Sequence, residues 1–145
     1  MVKSCLSLDD NQKPSKVTDV YWIFAERRMG QYPEATMYSG KWLIFVSLGR
    51  LDAVWRKIKY ATENGQLGPE SKTATAKPNS LAGKSKQKVI CVYTYDWTDD
   101  QDVKRTRDEL KNLGIVWKIP YKTDQDTLDG KYRGMVGQRI SKYYE

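Results

Sequence analysis

The chain has 145 residues, 39% hydrophobic and 30% charged, which is about the size of one domain and contains no apolar run long enough to cross a bilayer. Twenty-five Lys and Arg against 18 Asp and Glu leave a formal charge of +7, and there is no histidine, which excludes Ser-His-Asp and Cys-His nucleophile activation and histidine-containing zinc sites. The two cysteines, Cys5 in a polar stretch and Cys91 in an apolar run, exclude a disulfide framework and are expected to be free thiols, with no metal and no cofactor.

Residues 1–18 mix Lys3, Asp9, Asp10 and Lys13 with Ser, Asn and Pro14 and lack the apolar centre of a secretory signal. They are expected to form a polar tail ahead of a single domain over residues 19–145, in a cytoplasmic protein with no membrane partner. Residues 19–28 (DVYWIFAERR) alternate Tyr21, Ile23 and Ala25 with Trp22 and Phe24, a strand pattern. After a loop with Gly30 and Pro33, residues 41–48 (KWLIFVSL) are rich in β-branched and aromatic side chains between Gly40 and Gly49, which predicts a mostly buried strand. The period then changes. Leu51, Val54, Trp55, Ile58, Ala61 and Thr62 share one face of a helix over residues 51–64, with Arg56, Lys57, Lys59 and Glu63 largely elsewhere and Gly65 as its C-terminal stop.

Residues 71–88 contain five lysines (Lys72, Lys77, Lys84, Lys86 and Lys88) and no acidic residue; the first half reads as a strand and the second as a loop. A loop of one charge sign is usually a solvated surface, and its sign and density also suit contact with phosphates. In residues 88–95 (KVICVYTY), Val89, Cys91, Tyr93 and Tyr95 alternate with Ile90, Val92 and Thr94, the pattern of a central strand covered on at least one side. Thr98 and Gln101 have capping-box spacing before a helix whose inner stripe is Val103, Thr106, Leu110 and Leu113, ending at Gly114. Residues 115–121 (IVWKIPY) read as a further strand in which Pro120 marks an edge or a strand terminus. Residues 122–145 read as loop and a short final element that includes the basic aromatic run Arg139 to Tyr144.

The order β-β-α-(β)-β-α-β predicts an α+β fold: a curved, largely antiparallel sheet backed on one face by two or three helices and open on the other. Five tryptophans and ten tyrosines in a basic chain suit a surface that stacks flat rings and holds phosphates, since aromatic faces accept any base and Lys or Arg attracts its backbone. The same side chains also fill cores. Trp55 lies on an apolar helical stripe and is expected inside; Trp22 and Trp117 are equally compatible with core and exposed face; Trp97 sits where it would anchor the start of a helix.

Three runs, residues 20–28 (VYWIFAERR), 39–46 (SGKWLIFV) and 51–62 (LDAVWRKIKYAT), resemble the strand-strand-helix opening of the cap-binding translation initiation factor 4E fold. The span from Tyr21 to Tyr144, through KTATAKP (72–78), VICVYTY (89–95), IPYKTD (119–124) and SKY (141–143), more closely resembles the small Bles family, basophilic leukaemia expressed proteins of unknown function with a similar fold. The cap-binding likeness implies two tryptophans around a methylated guanine, a glutamate on the base edge and Arg or Lys on the phosphates. Trp42 is placed like the first tryptophan, whereas the stretch from Lys72 to Lys77, where the second would fall, has no aromatic residue. The Bles likeness also carries an association with phosphothreonine lyases, which implies a lysine base, Lys77 or Lys122, and, in place of the histidine acid those lyases use, Tyr132 or another donor.

These readings converge on a domain that binds RNA or a nucleotide in the concave face of its sheet. One or two of Trp22, Trp42, Tyr93 and Trp117 are expected to stack, and Lys72, Lys77, Lys122 and Arg139 to hold phosphates. The alternatives are a phosphothreonine-lyase-like enzyme, marked by a buried lysine beside a tyrosine, and a protein-interaction module, marked by an exposed Trp55.

Overall fold

A computed structural model of the chain describes residues 12–78, 86–125 and 142–145. Its strands are β1 (Trp22–Glu26), β2 (Gly40–Ser47), β3 (Glu70–Ala74), β4 (Gln87–Thr94), β5 (Pro120–Thr123) and β6 (Tyr143–Tyr144), with helices α1 (Leu48–Glu63) and α2 (Asp100–Asn112) and a short 3-10 turn at Pro14–Lys16. The strands form one curved antiparallel sheet in the spatial order β1-β3-β4-β2-β5-β6. This is the α+β architecture the periodicities predict.

The two longest strands make the centre, paired from Gly40 opposite Thr94 to Ser47 opposite Gln87. Period-two alternation turns Trp42, Ile44 and Val46 of β2 and Ile90 and Val92 of β4 to one side, where Leu51, Trp55, Ile58 and Ala61 of α1 and Val103 and Leu110 of α2 cover them. Each such side chain, fully buried, contributes about 1.5–3 kcal/mol. Trp55 packs inside, as its place on the α1 stripe predicts.

β3 continues this side with small polar groups. Ser71, Thr73 and Thr75 are fully buried, and the Ser71 and Thr62 hydroxyls share a 2.8 Å hydrogen bond while Thr62 Oγ1 donates to the Ile58 carbonyl. The turn before β3 is pinned by two arginines: Arg27 Nη2 donates to the Leu67 carbonyl at 2.7 Å and Arg105 Nη2 to the same oxygen at 3.0 Å. Gly68 is required here because a Cβ would lie 1.8 Å from the Tyr93 carbonyl oxygen.

Several local expectations need correction. α1 begins three residues earlier than residue 51, directly from β2, and ends at Glu63, with Asn64 as its C-cap and Gly65, whose φ of 79° favours glycine, as the expected stop after it. Lys59 lies on its inner face, buried, with Nζ 2.6 Å from Glu63. At α2 the N-cap is Asp99, whose carboxylate accepts from the Asp102 N–H at 3.2 Å; Thr98 instead gives its N–H and hydroxyl to Asp96. The predicted strand over residues 115–121 starts only at Pro120. Arg107, 1% exposed, takes the carbonyls of Ile115 (2.8 Å), Trp117 (2.6 Å) and Glu145 (2.8 Å). Those bonds hold residues 115–117 out of the ladder, and Pro120 is a strand terminus as expected, the first residue of β5, where its missing N–H is harmless. β5 is not an edge, since β2 and β6 flank it.

Candidate ligand-binding face

The residues of opposite parity lie on the other side of the sheet, where no helix or strand packs among the described residues. β1 places Trp22 and Phe24 there, β3 Lys72, β4 Cys91 and Tyr93, β2 Lys41 and Leu43, and β5 Lys122. Cross-strand register arranges them in rows. Phe24 is opposite Lys72, which is opposite Cys91, which is opposite Leu43; in the next row Tyr93 is opposite Lys41 and Lys41 opposite Lys122.

Aromatic rings and ammonium groups are interleaved across these rows. Lys72 Nζ lies 4.0 Å from the centre of the Trp22 ring and 5.9 Å from that of Tyr93. Lys41 Nζ lies 5.5 Å from the Tyr93 ring and donates to Asp124 Oδ1 at 2.6 Å, while Asp124 Oδ2 accepts from Ser39 Oγ at 2.6 Å. Burial pushes the Cys91 thiol up to about 11, with Lys72 and Lys41 pulling it back. Burial also raises the Tyr93 hydroxyl well above the usual phenol range, with Cys91 and Asp124 adding to the shift. Glu70 is raised first by burial and then by Glu26, its cross-strand partner. Among the described residues, the centre of the face therefore sets neutral rings and a buried, neutral thiol beside cations.

Of the residues singled out from sequence, Trp22, Tyr93 and Lys72 are brought together, and Lys122 lies on the same face at β5. Lys77 is at the rim, its Nζ 4.4 Å from the Tyr21 ring and 3.3 Å from the Asp19 carbonyl, to which it donates. Trp42 corrects the expectation. It is fully buried on the helix side with Nε1 donating to the Val103 carbonyl at 3.2 Å, so neither of its faces is offered to a ligand. Trp117 packs against the core, with the Arg50 guanidinium 5.5 Å from the centre of its ring. Arg139 and Tyr132 lie outside the described residues. Lys77 and Lys122, the candidate bases, are on β3 and β5 sides of the sheet with β4 and β2 between them.

Phe24 and Lys41 were missed. Phe24 is two residues from Trp22 in a period-two strand, and Lys41 has the parity opposite to Trp42, so the signal was present once the buried side of each strand is known. On the helical side Trp55 is 2% exposed, so the exposed tryptophan that would mark an interaction surface there is absent. Among the described residues no group of His, Cys, Asp and Glu is arranged to hold a metal ion, and no helix is long and apolar enough to cross a membrane.

Residues 27–128 match the family model for basophilic leukemia-expressed protein Bles03. The chain belongs to the Bles03 family. Its fold is that of the translation initiation factor eIF4E. A schistosome eIF4E crystallised with m7GpppA and 4E-BP superposes with a TM-score of 0.68 at 14% identity, covering 99% of this chain and 81% of that one. An Ascaris suum eIF4E-3 with the m2,2,7G cap gives 0.62 at 18% identity over 99% and 80%. A C. elegans eIF4E-3 with the 4E-binding protein Mextli and a cap analogue gives 0.61 at 20% over 91% and 79%. At these identities the likeness of the Bles03 chain to the initiation factors is one of fold.

Proposed function

We propose that this Bles03-family domain binds a phosphate-bearing ligand with a flat ring, a nucleotide or RNA, on the open face of its sheet. The observation that carries the reading is the Lys72 ammonium set between the Trp22 and Tyr93 rings on a face no described helix or strand covers. Trp22 and Tyr93 stack the base, and Lys72, Lys122 and Lys77 contact phosphates, with Arg139 a further candidate. The net charge of +7 supplies long-range attraction for a polyanion. The cap nucleotides held by the initiation factors of the same fold support a ligand of this class.

The lyase alternative has weaker support. Lys41 is buried beside Tyr93, but its ammonium is engaged by Asp124, and of the two candidate bases Lys122 is on β5 while Lys77 lies beyond the end of β3.

The test is calorimetric titration with mononucleotides, cap analogues and short single-stranded RNAs at several salt concentrations. Saturable binding that weakens as salt rises, and weakens again in Lys72→Ala, is the expected result. Binding indifferent to both salt and Lys72, or no binding to any of these compounds, would overturn the proposal.

A further inference from the structure

Three ammonium groups on or beside the open face sit against aromatic rings: Lys72 at 4.0 Å from the Trp22 ring centre, Lys77 at 4.4 Å from that of Tyr21 and Lys41 at 5.5 Å from that of Tyr93. Two of the three are anchored by another bond. Lys77 Nζ donates to the Asp19 carbonyl and Lys41 Nζ to the Asp124 carboxylate. The Lys72 ammonium makes no hydrogen bond or ion pair among the described residues, and its short contacts are with the Trp22 and Tyr93 rings. Glu70, two residues away on β3, feels its charge without closing on it. Stacked rings meet at van der Waals distance, about 3.5–4.0 Å. An ammonium 4.0 Å above the indole therefore stands where a base would rest, and the two cannot share that face of Trp22.

We propose that Lys72 caps the Trp22 ring until a phosphate draws it away, so that the ring opens to a base only when the base arrives with a phosphate. This rests on the reading of the face as a nucleotide site and adds what that site refuses. A nucleotide breaks the cation–π contact and replaces it with a charge-assisted contact between ammonium and phosphate, the stronger of the two. A nucleoside with the same base breaks the contact and returns nothing. Lys72 thus discriminates twice, by attracting the phosphate and by excluding rings that lack one, and the second is a penalty built against the wrong ligand. The device needs a cation on a flexible stem with no firm anchor. Lys72 meets both conditions, whereas the bonds of Lys77 and Lys41 tie them in place.

The experiment is titration of adenosine, guanosine and their 5′-monophosphates into the wild-type protein and Lys72→Ala, followed by the NMR signal of the Trp22 indole N–H, which Trp22→Phe identifies. In Lys72→Ala the monophosphates are expected to bind about tenfold more weakly, and the nucleosides about two- to fivefold more tightly, the factor that corresponds to one exposed cation–π contact. The opposite signs are the signature, because a lysine that only attracts phosphate would leave the nucleosides unmoved and a damaged fold would weaken both. A second measurement uses the wild type alone: inorganic phosphate in place of chloride at equal ionic strength is expected to tighten nucleoside binding, and by reciprocity the nucleoside to tighten phosphate. Nucleoside affinity that is unchanged or lower in Lys72→Ala, or indifferent to phosphate in the wild type, overturns the proposal; monophosphate binding that still weakens in the variant leaves the nucleotide site standing. Failure of the wild type to bind either monophosphate overturns it as well, and if short RNAs also fail to bind, the reading of the face falls with it.

Discussion

At the scale of single residues, the open face is defined by one contact, the Lys72 ammonium over the Trp22 indole. Trp22→Ala is expected to cost about 1–3 kcal/mol of nucleotide affinity, the worth of one stacked base. Lys72→Ala is expected to weaken binding and lower the salt slope by about one. Both are read by titration at two salt concentrations. Cys91 gives a prediction that needs no ligand. Its thiol is raised from 9.0 to about 11 in the folded chain, chiefly by burial. The unfolded chain therefore releases that proton first as pH rises, and the stability from the protonated buried thiol, present below pH 9, is lost on the way to pH 11. Two pH units correspond to about 3 kcal/mol. The melting temperature should fall steeply above pH 9, and less steeply in Cys91→Ala. Trp22, Tyr93 and Lys72 were legible in the sequence because alternation and charge mark them. Trp42 was not, since β2 is apolar on both sides of its pleat and only the packing of α1 and α2 decides which side is inside.

At the scale of elements, strands and helices were legible where hydrophobic periodicity is strong, and their limits were lost where a distant side chain takes over backbone groups. Arg107 is the plainest case. It lies among the polar residues of α2 in sequence, yet three carbonyls end on its guanidinium and delay β5 to Pro120. Arg107→Ala would strand those buried acceptors, at about 1–3 kcal/mol for each left unsatisfied. A loss of roughly 3 kcal/mol or more in urea unfolding is expected. β3 was half-legible: its inward residues are Ser and Thr, so hydrophobic alternation is missing, and its place is set by the turn at Gly68. Gly68→Ala must displace the Tyr93 backbone, and we expect a destabilisation of about 1–3 kcal/mol in the same assay.

At the scale of the whole molecule, the helices gather on one side and leave a sheet face whose cations come from three strands, a juxtaposition that composition alone only hinted at through charge and aromatic content. If Lys72, Lys77 and Lys122 each neutralise a phosphate of single-stranded RNA, affinity should fall with a log–log slope of about −2 against salt, near 100-fold per decade. A titration from low to moderate salt reads it directly. The same division of the molecule governs how it will emit light. Of five indoles, Trp42 and Trp55 are sealed in the core, Trp97 carries the Lys142 ammonium 3.9 Å from its ring centre and Trp117 has the Arg50 guanidinium 5.5 Å away. Only Trp22 stands on the proposed binding face. Quenching by a bound base would therefore reach one emitter in five over a constant background, and a small signal from saturated protein would be the signature of full occupancy.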